Sequence, residues 1–302
     1  MAKKPAPTSI FKNLYPAMAG PPQDIKEESG FFDAADGTDI FWRVWENEDA
    51  PKGLIVLVHG FGEHSARYHH VASAWVRAGY AVFSFDCRGH GRSGGKRAFI
   101  RAFSDYATDL EAVVEKARAR YPDLNTYIFG HSNGGLITVY HSAYSSQTSQ
   151  IKAYAITSPL LGFTEVPAVK EAAAKVLSVL APALKLGTEL DASKISRSIE
   201  VVKKYKEDPM VLSAATGRWF TETSKVTLAL EEGVKKIQQP SLWIIAKSDE
   251  IVDSSASEKR FPDVGCEDKK LVLLPDHYHE VLNEPDWEVH AQSIIDWFGA
   301  HS

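Results

Sequence analysis

The chain has 302 residues, 44% of them hydrophobic, and a formal net charge of −5 with no block of like charge. That supplies a sizeable core for one large domain or two smaller ones, and it lacks the basic excess or stripe of a nucleic-acid-binding protein. Cys87 and Cys266 are its only cysteines, too few for a disulfide framework and without paired metal-ligand spacing, so they read as free thiols compatible with a reducing, cytoplasmic compartment.

Residues 1–29, rich in Pro, Lys and Ala, read as a loosely attached N-terminal arm. After Lys3 and Lys4 an export signal needs about 7–15 apolar residues. Lys12, Asn13 and Pro16 break up Ile10-Phe11 instead. No run of about 20 apolar residues offers a membrane span.

From Phe31 the pattern turns strand-like: Phe31-Phe32 and Ile40–Trp45 flank the turn dipeptide Asp36-Gly37, as in a hairpin. Gly53–Val58 is a continuous apolar run of the kind a parallel strand covered on both faces shows. A helix through Tyr68, Val71, Ala72, Trp75 and Val76 stops near Gly79, and Tyr80–Phe85 is the next strand. Asp86–Ser93 is glycine-rich but lacks the lysine and spacing of a phosphate-binding loop, so it shapes a turn at the sheet edge. A helix over about 103–120 leads to the apolar run Thr126–Phe129.

Gly130-His131-Ser132-Asn133-Gly134 follows that run and precedes a helix through Leu136, Ile137, Val139 and Tyr140. A G-x-S-x-G pattern between strand and helix predicts a nucleophile elbow, a sharp strained turn whose neighbours must lack bulk. Ala153–Thr157 is another strand, ending at Ser158-Pro159. Residues 161–239 break the rhythm, with helical apolar spacing (Val176, Leu177, Leu180, Leu184) and no convincing strand, and read as a helical insertion. Its stretch Ala172–Leu186 is mostly apolar and is broken at Pro182; it packs on the core or lines a tunnel, or else presents an outer face to lipid. Strands Ser241–Ala246 and Leu271–Leu274 and a helix through Trp287, Ile294, Ile295 and Phe298 close the chain. Alternating strands and helices predict an α/β class with a mostly parallel central sheet flanked by helices.

A serine hydroxyl needs a base, and the base an orienting carboxylate, each following a strand in the order Ser, Asp or Glu, His. Asp249 lies three residues past Ala246 and is the best-placed acid; Asp253 is its rival, and would equally cap a helix starting near Ser254. The base is His277 or His279, and spacing does not choose between them. The oxyanion needs two backbone N–H donors, expected at Asn133, after the nucleophile, and at Phe61, in His59-Gly60-Phe61-Gly62 after the Gly53–Val58 strand. This chemistry requires neither a metal nor an organic cofactor, and it leaves Cys87 without a catalytic part.

Together, His59–Tyr68, Asp86–Ser93, Gly130–Gly135, Ser158-Pro159-Leu160, Tyr205–Pro209, Ser248–Asp253 and Tyr278-His279-Glu280 resemble the monoacylglycerol lipase and lysophospholipase branch of the α/β-hydrolases, from about Phe31 to Phe298. The resemblance implies an α/β-hydrolase fold with core residues 30–160 and 240–302. It makes residues 161–239 a helical cap over an acyl pocket, inserted before the strand that precedes the acid. It implies Ser132 as nucleophile, Asp249 as acid, His279 as base, and Phe61 and Asn133 as oxyanion donors. Glu63, Arg67, His131 and Tyr205 match positions around the polar head-group end of the pocket. The expected substrate is a single-acyl lipid ester; the outer face of the cap offers membrane contact as the alternative to packing on the core or lining the acyl tunnel. Leu282 replaces a histidine of the mammalian pattern and Asn133 a methionine, which bears on head-group recognition rather than on hydrolysis. A small-ester esterase or serine aminopeptidase on the same fold is the nearest alternative, and a non-catalytic binding protein the alternative of another class.

Overall fold

The computed structural model describes residues 22, 24–164, 166–187 and 190–302. Strands β1 (Lys26–Asp33), β2 (Asp39–Glu46), β3 (Gly53–Val58), β4 (Tyr80–Phe85), β5 (Thr126–His131), β6 (Ile151–Thr157), β9 (Ser241–Ala246) and β10 (Lys269–Leu274) form one eight-stranded sheet, and β7 and β8 lie apart from it. The sheet order is β1-β2-β4-β3-β5-β6-β9-β10. β1 and β2 pair antiparallel with each other and β2 antiparallel with β4; the remaining neighbours are parallel.

Helices cover both faces. On one lie α1 (His69–Arg77) and α8 (Trp287–Ala300), tied by the Trp75 indole N–H donating to the Ala291 carbonyl at 3.1 Å. On the other lie α2 (Ser104–Arg120) and α3 (Asn133–Tyr144). β3 shows why its sequence is a continuous apolar run. Leu54, Val56 and Val58 pack with Leu110, Val114 and Leu136, while Ile55 and Leu57 pack with Trp75, Ile294 and Phe298. Side chains alternate across a strand, so a strand covered on both faces must be apolar at every position. Each such burial stabilises by about 1.5–3 kcal/mol.

The expected arm lies mostly outside the described residues, but its boundary at residue 29 is corrected, because β1 already begins at Lys26. Its first four residues are exposed and polar, so they carry no apolar signal; they are held by ladder pairing and by ion pairs such as Glu27 to Arg43 at 2.7 Å.

Between β6 and β9 the chain forms α4 (Ala168–Leu180), β7 (Lys185–Gly187), α5 (Ile199–Glu207), β8 (Ala214–Thr216) and α6 (Gly217–Gly233). β7 and β8 pair antiparallel where no strand was expected. Three residues each are too few to show an alternating pattern. α4 ends two residues before Pro182, as the missing N–H of proline requires. Thr216 fastens this segment to the core, its N–H and hydroxyl both donating to the Ala98 carbonyl.

Candidate active site

The parallel strands deliver their C-terminal ends to one edge of the sheet, where ligands of open α/β sheets bind. Ser132 stands between β5 and α3 with φ 54° and ψ −119°, a left-handed conformation that costs a non-glycine residue of order 1–3 kcal/mol. A Cβ on Gly134 would lie 2.2 Å from the Val58 carbonyl oxygen, and one on Gly130 2.2 Å from Thr138 Oγ1. The turn is thus pressed against the end of β3, and both glycines are sterically required.

His279 follows β10. Its Nε2 is 2.9 Å from Ser132 Oγ and its Nδ1 is 2.6 Å from Asp249 Oδ2. Asp249 follows β9, and its Oδ1 accepts the N–H groups of Ile251 and Val252 at 2.8 and 3.0 Å. Since the carboxylate only accepts, the Nδ1 proton points to it and the Nε2 lone pair faces the serine hydroxyl. Burial disfavours the imidazolium, but the charge and hydrogen bond of Asp249, with Glu280 and Glu63 beyond, outweigh it and hold His279 above its ordinary value.

The competing residues go elsewhere. Asp253 caps α7 (Ser254–Arg260), accepting from Ser255 N at 3.0 Å. His277 turns to Asp286 and His290.

Phe61 lies in the loop after β3, and Asn133 is the first residue of α3, where a backbone N–H has no intrahelical acceptor. The Phe61 loop is braced from several sides. Gly60 N donates to Glu63 Oε1 at 2.6 Å, and His59 accepts Cys87 N at Nε2 while its Nδ1 meets the Gly60 carbonyl at 2.7 Å. The segment between β6 and β9 also holds this loop: Leu212 N donates to the Gly62 carbonyl at 2.7 Å, and the Trp219 ring lies against that of Phe61, centres 3.9 Å apart and planes tilted by 35°. Burial raises the Cys87 thiol well above its ordinary value, so it stays protonated. The Asn133 side chain is fully buried, and neither atom of its amide has a hydrogen-bond partner in the protein.

Of the four residues expected around a head group, Glu63, Arg67 and His131 are hydrogen-bonded to protein atoms and Tyr205 lies against the Arg67 guanidinium. Arg67 donates to Glu63 at 2.6 Å and to both oxygens of Glu280 at 2.7 Å, and its guanidinium lies 4.8 Å from the Tyr205 ring centre. Burial pushes Glu63 up, but Arg67, His59 and the Gly60 N–H together hold it below its usual range. Burial, with the His279 charge nearby, pulls His131 down to about 3; it meets Thr157 Oγ1 at 3.0 Å and lies 4.8 Å from the His279 ring. Glu280, Thr157 and Trp219 were not singled out in the sequence. Only Glu280 carried a signal, its place beside the base, because the partners of all three are distant in the chain.

A strained serine between strand and helix, a buried Ser–His–Asp series and this strand order define an α/β-hydrolase. The chain matches the family described as Serine aminopeptidase, S33, over residues 49–286, and belongs to it. It is 34% identical over 276 residues to the monoacylglycerol lipase of Mycolicibacterium smegmatis, covering 89% of this chain and 96% of that one. It is 30% identical over 242 residues to phospholipase YtpA of Bacillus subtilis, covering 80% and 92%. Among solved structures, the monoacylglycerol lipase of Paleococcus ferrophilus superposes with a TM-score of 0.77 at 28% identity, covering 92% of this chain and all of that one.

Proposed function

We propose that this protein hydrolyses carboxylic esters of single-acyl lipids, monoacylglycerol or lysophospholipid, through an acyl-enzyme on Ser132. The observation that carries the reading is the series Ser132 Oγ, His279, Asp249, joined at 2.9 and 2.6 Å. Its relatives named as a monoacylglycerol lipase and a phospholipase support the substrate class.

In this reading Ser132 Oγ attacks the ester carbonyl as its proton passes to His279 Nε2. Asp249 keeps the proton on Nδ1 and stabilises the imidazolium. The Phe61 and Asn133 N–H groups hold the oxyanion, each worth about 3 kcal/mol in the transition state. The tetrahedral intermediate collapses, the C–O bond breaks, and the alcohol leaves with the proton from His279. Water, deprotonated by the same nitrogen, then attacks the acyl carbonyl and frees the fatty acid and Ser132.

Residues 161–239 act as a cap in this reading, with Trp219 against Phe61 as its hold on the site. Arg67, Glu63 and Glu280 act as a brace between the oxyanion loop and the base. An aminopeptidase would need a free carboxylate to anchor the substrate ammonium; Glu63 and Glu280 stand close to the triad, but both are already paired with Arg67. Among the described residues no helix is long and apolar enough to cross a membrane. Contact with lipid is instead proposed through the outer face of α4, where Val169, Val179 and Leu180 are 81%, 73% and 78% exposed.

The test is a turnover panel of monoacylglycerols, lysophospholipids, short nitrophenyl esters and aminoacyl amides, run beside labelling by a fluorophosphonate. Preferred turnover of the single-acyl lipids with label on Ser132 is expected. Preferred turnover of the amides supports the peptidase alternative, and an unlabelled Ser132 supports the non-catalytic one.

A further inference from the structure

Behind the loop that carries His279, three side chains without a part in ester hydrolysis converge. His277 lies two residues before the base, Asp286 precedes α8, and His290 lies one turn into that helix. His277 Nε2 is 2.9 Å from His290 Nε2 and 3.0 Å from Asp286 Oδ2, which is 3.8 Å from His290 Nε2. Among the described residues this is the one set of three His, Cys, Asp or Glu side chains whose ligand atoms come together in this way.

Two ring nitrogens 2.9 Å apart need a proton or a metal ion between them, since otherwise two lone pairs face each other. A proton on His277 Nε2 must be shared between the Asp286 carboxylate and His290 Nε2, so it cannot satisfy both contacts fully. A metal ion serves all three atoms at once. The three separations place the atoms on a circle of about 1.9 Å radius, so a point less than 1 Å above their plane is about 2.1 Å from each, the zinc–imidazole and zinc–carboxylate distance. The two ring planes are nearly perpendicular, at 82°, with their centres 4.7 Å apart. His277 and His290 are 12% and 9% exposed, whereas Asp286 is 46% exposed, which leaves solvent to supply a fourth ligand. The donor set, two imidazoles and a carboxylate, suits zinc-class ions rather than magnesium or calcium.

We propose that His277, Asp286 and His290 bind a divalent transition-metal ion of the zinc class. The site ties the loop of the catalytic base to α8. It also reaches the acid loop, because the Ser248 N–H donates to the His277 carbonyl at 3.2 Å. Arg197, from the segment between β6 and β9, donates to Asp286 Oδ1 at 3.2 Å and orients the carboxylate, whose two oxygens lie 3.1 and 3.0 Å from His277 Nε2. The ion is a structural clasp, and takes no part in the bond making at Ser132.

The test uses the full chain stripped with a chelator and then titrated with Zn²⁺ by calorimetry and with Co²⁺ by visible absorption, readouts independent of ester turnover. One equivalent of Zn²⁺, Co²⁺ visible bands distinct from those of the aquo ion, and a melting temperature that climbs with Zn²⁺ concentration are expected. His290→Ala and Asp286→Asn should each weaken binding by more than the roughly tenfold that loss of even an outer partner costs. Asp286 is half exposed, so its variant keeps the test open should His290→Ala not fold. No uptake of either ion by the wild type, or uptake unchanged in both variants, overturns the proposal.

Discussion

Arg67 and Glu280 stand 213 residues apart and form a two-pronged ion pair at 2.7 Å, with the same guanidinium also holding Glu63. Glu280 adjoins the base and Glu63 braces the oxyanion loop, so one cation fixes two parts of the site against each other. All three side chains are under a tenth exposed. Arg67→Met would strand two buried carboxylates. We expect a loss of about 3–5 kcal/mol in urea unfolding, together with a lower kcat. A loss below about 1 kcal/mol, the range of surface pairs, would refute the brace.

The strain at Ser132 makes its two inactive variants differ. Ser132→Gly relieves the left-handed conformation, whereas Ser132→Ala retains it. Both should lose ester turnover by about 10⁴-fold or more. The glycine variant should be the more stable by about 1 kcal/mol. Equal melting temperatures would argue against stored strain.

The base works only when neutral, and the pKa of His279 is raised by Asp249 once the opposing effect of burial is overcome. The acidic limb of kcat/KM should therefore titrate above 6.5, the unperturbed imidazole value. The same shift sets a sign on stability. The raised pKa contributes fully below 6.5 and the contribution is lost as pH climbs through the folded value. Asp249→Asn should move the limb downward and lower kcat by about 10⁴-fold; a limb that stays in place would detach Asp249 from the titration.

Asn133 buries an amide with no protein partner. Asn133→Met keeps the backbone N–H and removes the unsatisfied polar group, so unfolding should become harder by about 1–2 kcal/mol. Turnover should stay within tenfold. Destabilisation instead would show that the amide has an unseen partner.

On α4, Leu180 is 78% exposed but Leu177 is half-buried, so the variant suited to testing lipid contact carries Val169, Val179 and Leu180 changed to Ser. It should sediment less with anionic lipid vesicles than the wild type and keep its turnover of a soluble nitrophenyl ester. Equal recovery with vesicles removes the lipid contact.

Much of the fold is legible in the chain because its signals are local. The apolar run of β3 announces a strand covered on both faces, and Gly130 and Gly134 announce a turn without room for side chains. The strand start at Lys26 and the β7–β8 pair are not legible, since exposed polar residues and three-residue strands leave no periodicity. His279 is the more instructive case. Spacing leaves it equal to His277, and motif resemblance alone separates them; in three dimensions one ring meets Ser132 and the other meets Asp286 and His290.

By itself, then, the sequence determines the layered α/β class and the strained serine, because periodicity and steric bulk act between near neighbours. Which imidazole meets the serine hydroxyl, which aspartate meets that imidazole, and that Arg67 joins Glu63 to Glu280 are decided only when the strand ends converge. Charge and hydrogen bonding act over a few ångströms in space, and the chain carries no record of that distance.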